Sequence, residues 1–326
     1  MKSSVRENLS GAGRALGSLP RCLQTLLLLV GMVLPAVAGA EPPFTVGFAQ
    51  DTLQNDWRIQ QVEQFRAAME TIDDLEVVVE VRDARGSAVR QARDMMDLAE
   101  RGVDVLVTSP RDGELKGPVV AEIEAAGIPV VLLTRRVTGN PETAFVGMDD
   151  RQIGQQAAAF IIERLGGRGR VLMLEGVPGA TTTQGRTEGF LDRLRQAEGV
   201  EVVYRAKANF LRGDALRATE TALREGVEFD AIYAQSDSMA TGARLALMEA
   251  GHDPANWLIV GIDFISEASE AIRASQQTAS FTYPTAAAEG AELVERLLRG
   301  QSVPRETWLS SDLVTIDNLD DFEPIF

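Results

Sequence analysis

From Phe44 onward the chain repeats one pattern: a short run of β-branched and apolar residues, then a segment whose apolar residues return every three or four positions. Strands of a parallel sheet need crossover connections, and a helix is the usual one. The alternation therefore restricts the chain to parallel sheets with helices on both faces. Apolar runs at 44–49, 75–81, 103–108, 128–133, 144–147, 170–174, 200–206, 229–234, 257–262 and 278–283 predict ten strands. Between them Val62, Phe65, Met69 and Ile72 share one helical face, as do Ile153, Ala157, Ile161 and Leu165, and also Ala215, Ala218 and Ala222. About five units precede residue 148 and about five follow it. The predicted fold is α/β, two doubly wound parallel-sheet domains joined by a hinge, with strand carboxyl ends around a shared cleft. No Gly/Pro/Ser-rich linker separates the halves, so the hinge near Asp149 is expected to be short.

The first forty residues have a different logic. Lys2, Arg6, Arg14 and Arg21 form a basic leader, residues 23–34 run apolar, Pro35 breaks the run, and small residues follow through Ala40. This predicts a cleaved signal peptide over 1–40, cut after Ala38 or Ala40. Twelve or so apolar residues fall short of the roughly 20 that span a bilayer. The expected location is the periplasm. Removing four cations and Glu7 would move the formal charge from −16 to −19, which argues against nucleic acid as a partner. Cys22, the only cysteine, would leave with the leader, so the exported chain would have neither disulfide nor thiolate. His252 is the only histidine, in a turn that reads as solvated. No metal site and no catalytic residue is expected.

Candidate binding residues sit after the predicted strands. Trp57 and Arg58 follow the first: the indole either stacks on a sugar ring or starts a helix core, and the guanidinium either meets a hydroxyl or carboxylate or faces solvent. Arg135 and Arg136 follow the fourth strand, where a guanidinium can hold paired oxygens. Thr181–Thr183 read as a helix cap ahead of Arg186. Phe210 closes over a ring or fills the core. Asp263 accepts from hydroxyls or caps the next helix.

Together these segments resemble the periplasmic sugar-binding proteins of ABC importers, in the ribose- and galactofuranose-binding branch. Their fold, periplasmic binding protein type 1, is shared with the effector domains of lactose-repressor-like regulators. The resemblance covers about 44–317. Trp57-Arg58 resembles the Trp-Arg of galactofuranose binders; Arg135, Arg186, Phe210 and Asp263 match the family's ligand arginines, stacking phenylalanine and aspartate. Ser109, Thr134, Ser236 and Thr282 stand where the family places asparagine, aspartate, asparagine and glutamine. Losing the aspartate beside Arg135 is expected to leave a more positive pocket, so the ligand would be a sugar acid or another oxygen-rich molecule rather than a neutral pentose. The resemblance implies lobes of 41–148 plus 283–310 and 149–282 plus 311–326. It also implies a monomer that needs no cofactor and hands a sugar or sugar-like ligand to the membrane permease of an ABC importer. A sensor presenting its closed state to a membrane signalling protein would need the same pocket. A regulator would need a DNA-binding segment where the leader stands, and a glycosidase would need a second carboxylate paired with Asp263.

Overall fold

A computed structural model describes residues 43–326; the leader and its cleavage sites lie outside the described residues. The first half forms β1 (Phe44–Gln50), α1 (Asp56–Glu70), β2 (Val77–Asp83), α2 (Ala88–Glu100), β3 (Val105–Thr108), α3 (Gly113–Ala125), β4 (Val130–Leu133) and β5 (Ala144–Gly147). The second half repeats the sequence of elements with α4 (Asp150–Arg164), β6 (Gly169–Glu175), α5 (Thr181–Leu194), β7 (Val200–Lys207), α6 (Arg212–Arg224) and β8 (Ala231–Ala234). It continues through α7 (Asp237–Glu249), β9 (Leu258–Val260), α8 (Ser266–Arg273) and β10 (Ala279–Phe281). The ten expected strands are all present, with ends shifted by a few residues.

Two six-stranded sheets result. Their orders are β11-β5-β4-β3-β1-β2 and β12-β10-β9-β8-β6-β7, where β11 is Glu306–Trp308 and β12 is Leu313–Thr315. Neither of these last two strands is visible as an apolar run, because each is three residues long and pairs at a sheet edge. β11 joins β5 in parallel; β12 joins β10 antiparallel. Helix α9 (Ala287–Leu298) packs on α1 and β4 of the first sheet. The chain thus passes between the sheets three times: after β5, after β10 and after β11.

Both faces of each sheet are covered, as the continuous apolar strands require. Val46 and Phe48 of β1 are fully buried on one face with Phe65 of α1, the two rings meeting edge-on at 5.2 Å. On the other face Ala49 joins Met95, Leu98 and Phe145. Each large apolar side chain so buried contributes about 1.5–3 kcal/mol. In both sheets the first strand lies between the second and the third, so the crossovers diverge between β1 and β3, and again between β6 and β8. Diverging connections leave a crevice at the strand carboxyl ends. The two crevices face each other.

Candidate functional site

Helix starts shape the cleft walls. Asn55 ends the β1 loop in extended conformation and its side chain accepts from Arg58 N, capping α1. Its Nδ2 then donates across the cleft to Phe210 O at 2.6 Å. Trp57 and Arg58 follow on the first turn, both buried, with the guanidinium 4.7 Å from the indole centroid. The Trp57 Nε1 donates to Tyr283 O in the second crossing. A second lobe-to-lobe bond joins Gly113 N to Gly179 O at 3.2 Å, and Thr181 Oγ1 accepts from Arg136 N at 2.9 Å. The two lobes are therefore closed on one another.

Between them lies a space of about 440 Å³, bounded by Asp51, Trp57, Arg58 and Arg135 from the first sheet's side and by Thr182, Arg186, Phe210 and Asp263 from the second. Tyr283, Thr52, Asn55, Val177 and Asn209 complete the wall. Among the sequence candidates, Trp57, Arg58, Arg135, Arg186, Phe210 and Asp263 are brought together on it.

The other four stand off the wall. Ser109 Oγ accepts from Arg58 Nη1 at 2.6 Å and lies 3.2 Å from Thr134 Oγ1, so this pair backs Arg58 from behind. Ser236 Oγ caps α7 by accepting from Met239 N. Thr282 Oγ1 accepts from Asp312 N in the third crossing. Each short hydroxyl is engaged with nearby protein and falls short of the cavity.

Asp51 adds a carboxylate that the expectation of a more positive pocket did not count. Its Oδ2 lies 2.8 Å from Arg135 Nη1 and 3.7 Å from Arg111, and its Oδ1 lies 3.5 Å from Arg58 Nε. Thr134 does remove a carboxylate next to Arg135 in sequence, but β1 supplies one in space. Burial alone would raise the Asp51 carboxyl; Arg135 and Arg58 outweigh it and hold it below the usual range. Across the cleft Arg186 Nε donates to Asp150 Oδ1 at 2.8 Å, and Tyr283 OH donates to Asp150 Oδ2. The Arg186 guanidinium also sits 4.2 Å from the Tyr283 ring centroid. Burial lifts both Asp150 and Tyr283.

Asp263 follows β9 with φ 118°, and Phe264 with φ 53°. No side chain among the described residues is within hydrogen-bond reach of the Asp263 carboxylate. Burial pushes it well up, opposed by Arg186 and Arg58. The next helix, α8, has Ile265 at its N-cap, so Asp263 does not cap it. Its loop is clamped from behind by Asp237, which accepts from Phe264 N at 2.7 Å, Ser280 Oγ at 2.6 Å and Gln277 Nε2 at 2.7 Å.

The threonine turn is a correction. Ala180, not a threonine, is the N-cap of α5, and no side chain caps it. The threonines fall one position later, where Thr181 reaches Arg136 and Thr182 reaches the cavity with an unpartnered hydroxyl. Phe210 lies over Gly176, in a loop where Asn209 and Phe210 both have positive φ. Sequence reasoning passed over Asp51, Asn55, Tyr283 and Thr182. The first two lie between the first predicted strand and Trp57; contact with Arg135 sets Asp51 apart from its neighbours, and the bond to Phe210 O sets Asn55 apart. His252 is exposed in its turn, as expected, with its ring edge-on to Trp257.

Two sheets of one strand order, with a polar, aromatic-walled cleft at their carboxyl ends, define a two-lobed ligand-binding protein of the periplasmic binding protein type 1 fold. The chain matches the periplasmic binding protein domain family over residues 46–302 and belongs to it. It is 31% identical over 244 residues to the ribose import binding protein of Bacillus subtilis, covering 73% of this chain and 76% of that protein. Its fold is similar to the fructose-binding periplasmic domain of a hybrid two-component system, with TM-score 0.80, 29% identity, and coverage of 85% of this chain and 92% of that one. It is also similar to a solute-binding protein of an ABC transporter from Bacillus halodurans with bound myo-inositol. There the TM-score is 0.82 and the identity 24%, over 88% of this chain and 100% of that one.

Proposed function

We propose that this protein captures a small polyhydroxylated, sugar-like ligand in the periplasm by closing two lobes on it, and presents the closed form to an ABC importer. The observation that carries this reading is the division of the wall: Trp57, Arg58 and Arg135 come from one lobe, Arg186, Phe210 and Asp263 from the other. Neither half surrounds a ligand alone, so a ligand touching both favours the closed state by its differential contacts. The moving bodies are 41–148 with 283–310 and 149–282 with 311–326, turning about the three crossings. Trp57 and Phe210 offer ring faces to a sugar's C–H surface. Arginine N–H groups and the Asp263 carboxylate offer donors and an acceptor, the mixture that hydroxyl groups match. Binding and release suffice for this role, so no catalytic residue or cofactor is assigned, and the protein acts as a monomer.

A thermal-shift screen over neutral pentoses, hexoses, inositols and their aldonate and uronate counterparts tests the reading. A ligand at 100 times its dissociation constant adds about 2.7 kcal/mol of stability. Arg135→Ala and Arg186→Ala should each remove the shift; retention of the full shift in both would place the site elsewhere.

A second reading is favoured by the fructose-binding neighbour, which is part of a two-component system. In that reading the closed form is read by a membrane signalling protein. Loss of uptake of the identified sugar on deleting the gene supports import; intact uptake with loss of a transcriptional response supports sensing.

A further inference from the structure

We propose that the segment 322–326 is a positioning element for the ligand: it grips the outer side of the turn at Asp263 and Phe264 and so aims the Asp263 carboxyl into the cleft. The inference rests on the sugar-binding reading above and deepens it. The family match ends at residue 302, so the segment lies beyond it.

The turn needs holding because of its residues. Asp263 has φ 118° and Phe264 φ 53°, and positive φ is costly for a residue with a Cβ, most of all for a bulky one. Such a backbone persists only where its surroundings fix it. On the inner side Asp263 N donates to Phe281 O at 2.8 Å, and Asp237 Oδ2 accepts from Phe264 N at 2.7 Å. These bonds hold the two N–H groups. The Phe264 carbonyl is held from the other side, where it accepts from Ile325 N at 3.1 Å. The Phe264 ring is fully buried among Ile272, Val314, Leu319 and Phe322, with the Phe322 ring edge-on at 6.5 Å. Of these four, Ile272 belongs to α8 and the others to β12 and the chain after it.

The segment also completes the start of the next helix. α8 has Ile265 at its N-cap and no side-chain cap, so its first N–H groups lack the usual acceptor. Phe326 O takes that place, accepting from Ser266 N at 2.9 Å and from Ser266 Oγ at 2.5 Å. Phe264 and Ser266 are therefore both tied to residues 325–326, one by its carbonyl and the other by its N–H. Asp263 stands one residue before this clasp, and no side chain among the described residues orients its carboxyl. Its direction follows the backbone, which the clasp fixes from outside as Asp237 does from inside. Ile325 O also lies 3.4 Å from Gln64 Nε2 of α1, the helix that carries Trp57 and Arg58. The segment thus meets both lobes when the cleft is closed.

The test measures binding of D-ribose, D-fructose, D-galactose and myo-inositol by calorimetry to wild type, Ile325→Pro, Ile325→Val and Phe322→Ala, each also in the Asp263→Ala background. Proline lacks the N–H that meets Phe264 O, and valine keeps it. Ile325→Pro and Phe322→Ala should weaken the probe that wild type binds by ~tenfold or more, the effect of misplacing one polar contact. Ile325→Val should bind as wild type does. With Asp263→Ala in place the same changes should cost less than ~twofold, because the group they position is gone. Amide exchange in the unliganded proteins, followed by mass spectrometry, reads the hold on the turn: residues 263–266 should exchange ~tenfold faster in Ile325→Pro while β6 is unchanged. Unchanged affinity in Ile325→Pro overturns the proposal, as does an equal loss in both backgrounds or exchange that quickens equally throughout the chain. Each of these leaves the sugar-binding reading standing. If Ile325→Pro does not fold, or Asp263→Ala binds too weakly to measure, the affinity and exchange of Phe322→Ala decide by the same criteria. No binding of any probe by wild type overturns the sugar-binding reading and this inference with it.

Discussion

Replacing Gly176 by alanine would drive a methyl group into the Phe210 ring: a Cβ there lies 1.9 Å from Cζ and 2.3 and 2.5 Å from the two Cε atoms. Gly176 does not have a positive φ, so the backbone would accept alanine and the effect is one of packing alone. The Phe210 backbone has little room to yield. Ala208 N donates to Glu175 O at 2.7 Å, Leu211 N to Ala208 O at 2.8 Å, and the Phe210 carbonyl receives Asn55 Nδ2 from the other lobe. The ring must therefore turn. Overpacking of this kind costs about 1–3 kcal/mol, and a displaced ring would no longer cover the cavity. A double-mutant cycle by urea denaturation, with Gly176→Ala, Phe210→Ala and both, isolates the contact. Gly176→Ala should be nearly harmless in the Phe210→Ala background, giving a coupling of about 1 kcal/mol or more, and it should reduce the ligand-induced thermal shift in the wild-type background. A cost that is the same in both backgrounds within ~0.5 kcal/mol would refute the placement of Phe210 over Gly176.

Two further outcomes follow from the buried carboxylates. Arg135→Met removes the nearest partner of Asp51, a side chain 1% exposed, and should cost about 3–5 kcal/mol in denaturant titration; a loss under about 1 kcal/mol would mean that Arg58 and Arg111 already suffice. Burial lifts Asp237 to about 6, above its value in the unfolded chain. The native state then holds the proton more tightly, so this group's contribution is full below about pH 4 and is lost as pH rises through 6. The difference is about 3 kcal/mol for two pH units. Asp237→Asn lacks that dependence, and its stability relative to wild type should rise between pH 4 and 7; a constant difference would show that Asp237 titrates normally.

Much of the architecture is legible in residue order because each element declares itself locally. A run such as Val130–Leu133 is buried on both faces and is apolar throughout, and the helical spacing of Val62, Phe65 and Met69 is set by one covered face. The edge strands β11 and β12 left no such trace, being short and partly exposed. At the site, position after a strand marked Trp57, Arg58, Arg135, Arg186, Phe210 and Asp263. It could not distinguish a side chain on the cavity from one engaged behind it. Ser109, Thr134, Ser236 and Thr282 have the right place in the pattern but side chains too short to pass their protein partners.

The sequence by itself determined the repeated strand-and-helix order, the strand ends that hold the functional side chains, and the apolar leader that sets the first forty residues apart. Tertiary structure alone decided the charge of the cleft. Asp51 and Arg135 are 84 residues apart in the chain and 2.8 Å apart in space, joined because β1 and β4 end on the same side of one sheet. Electrostatics depends on distance through the fold, so a residue lost beside Arg135 in sequence can be replaced by one from another strand.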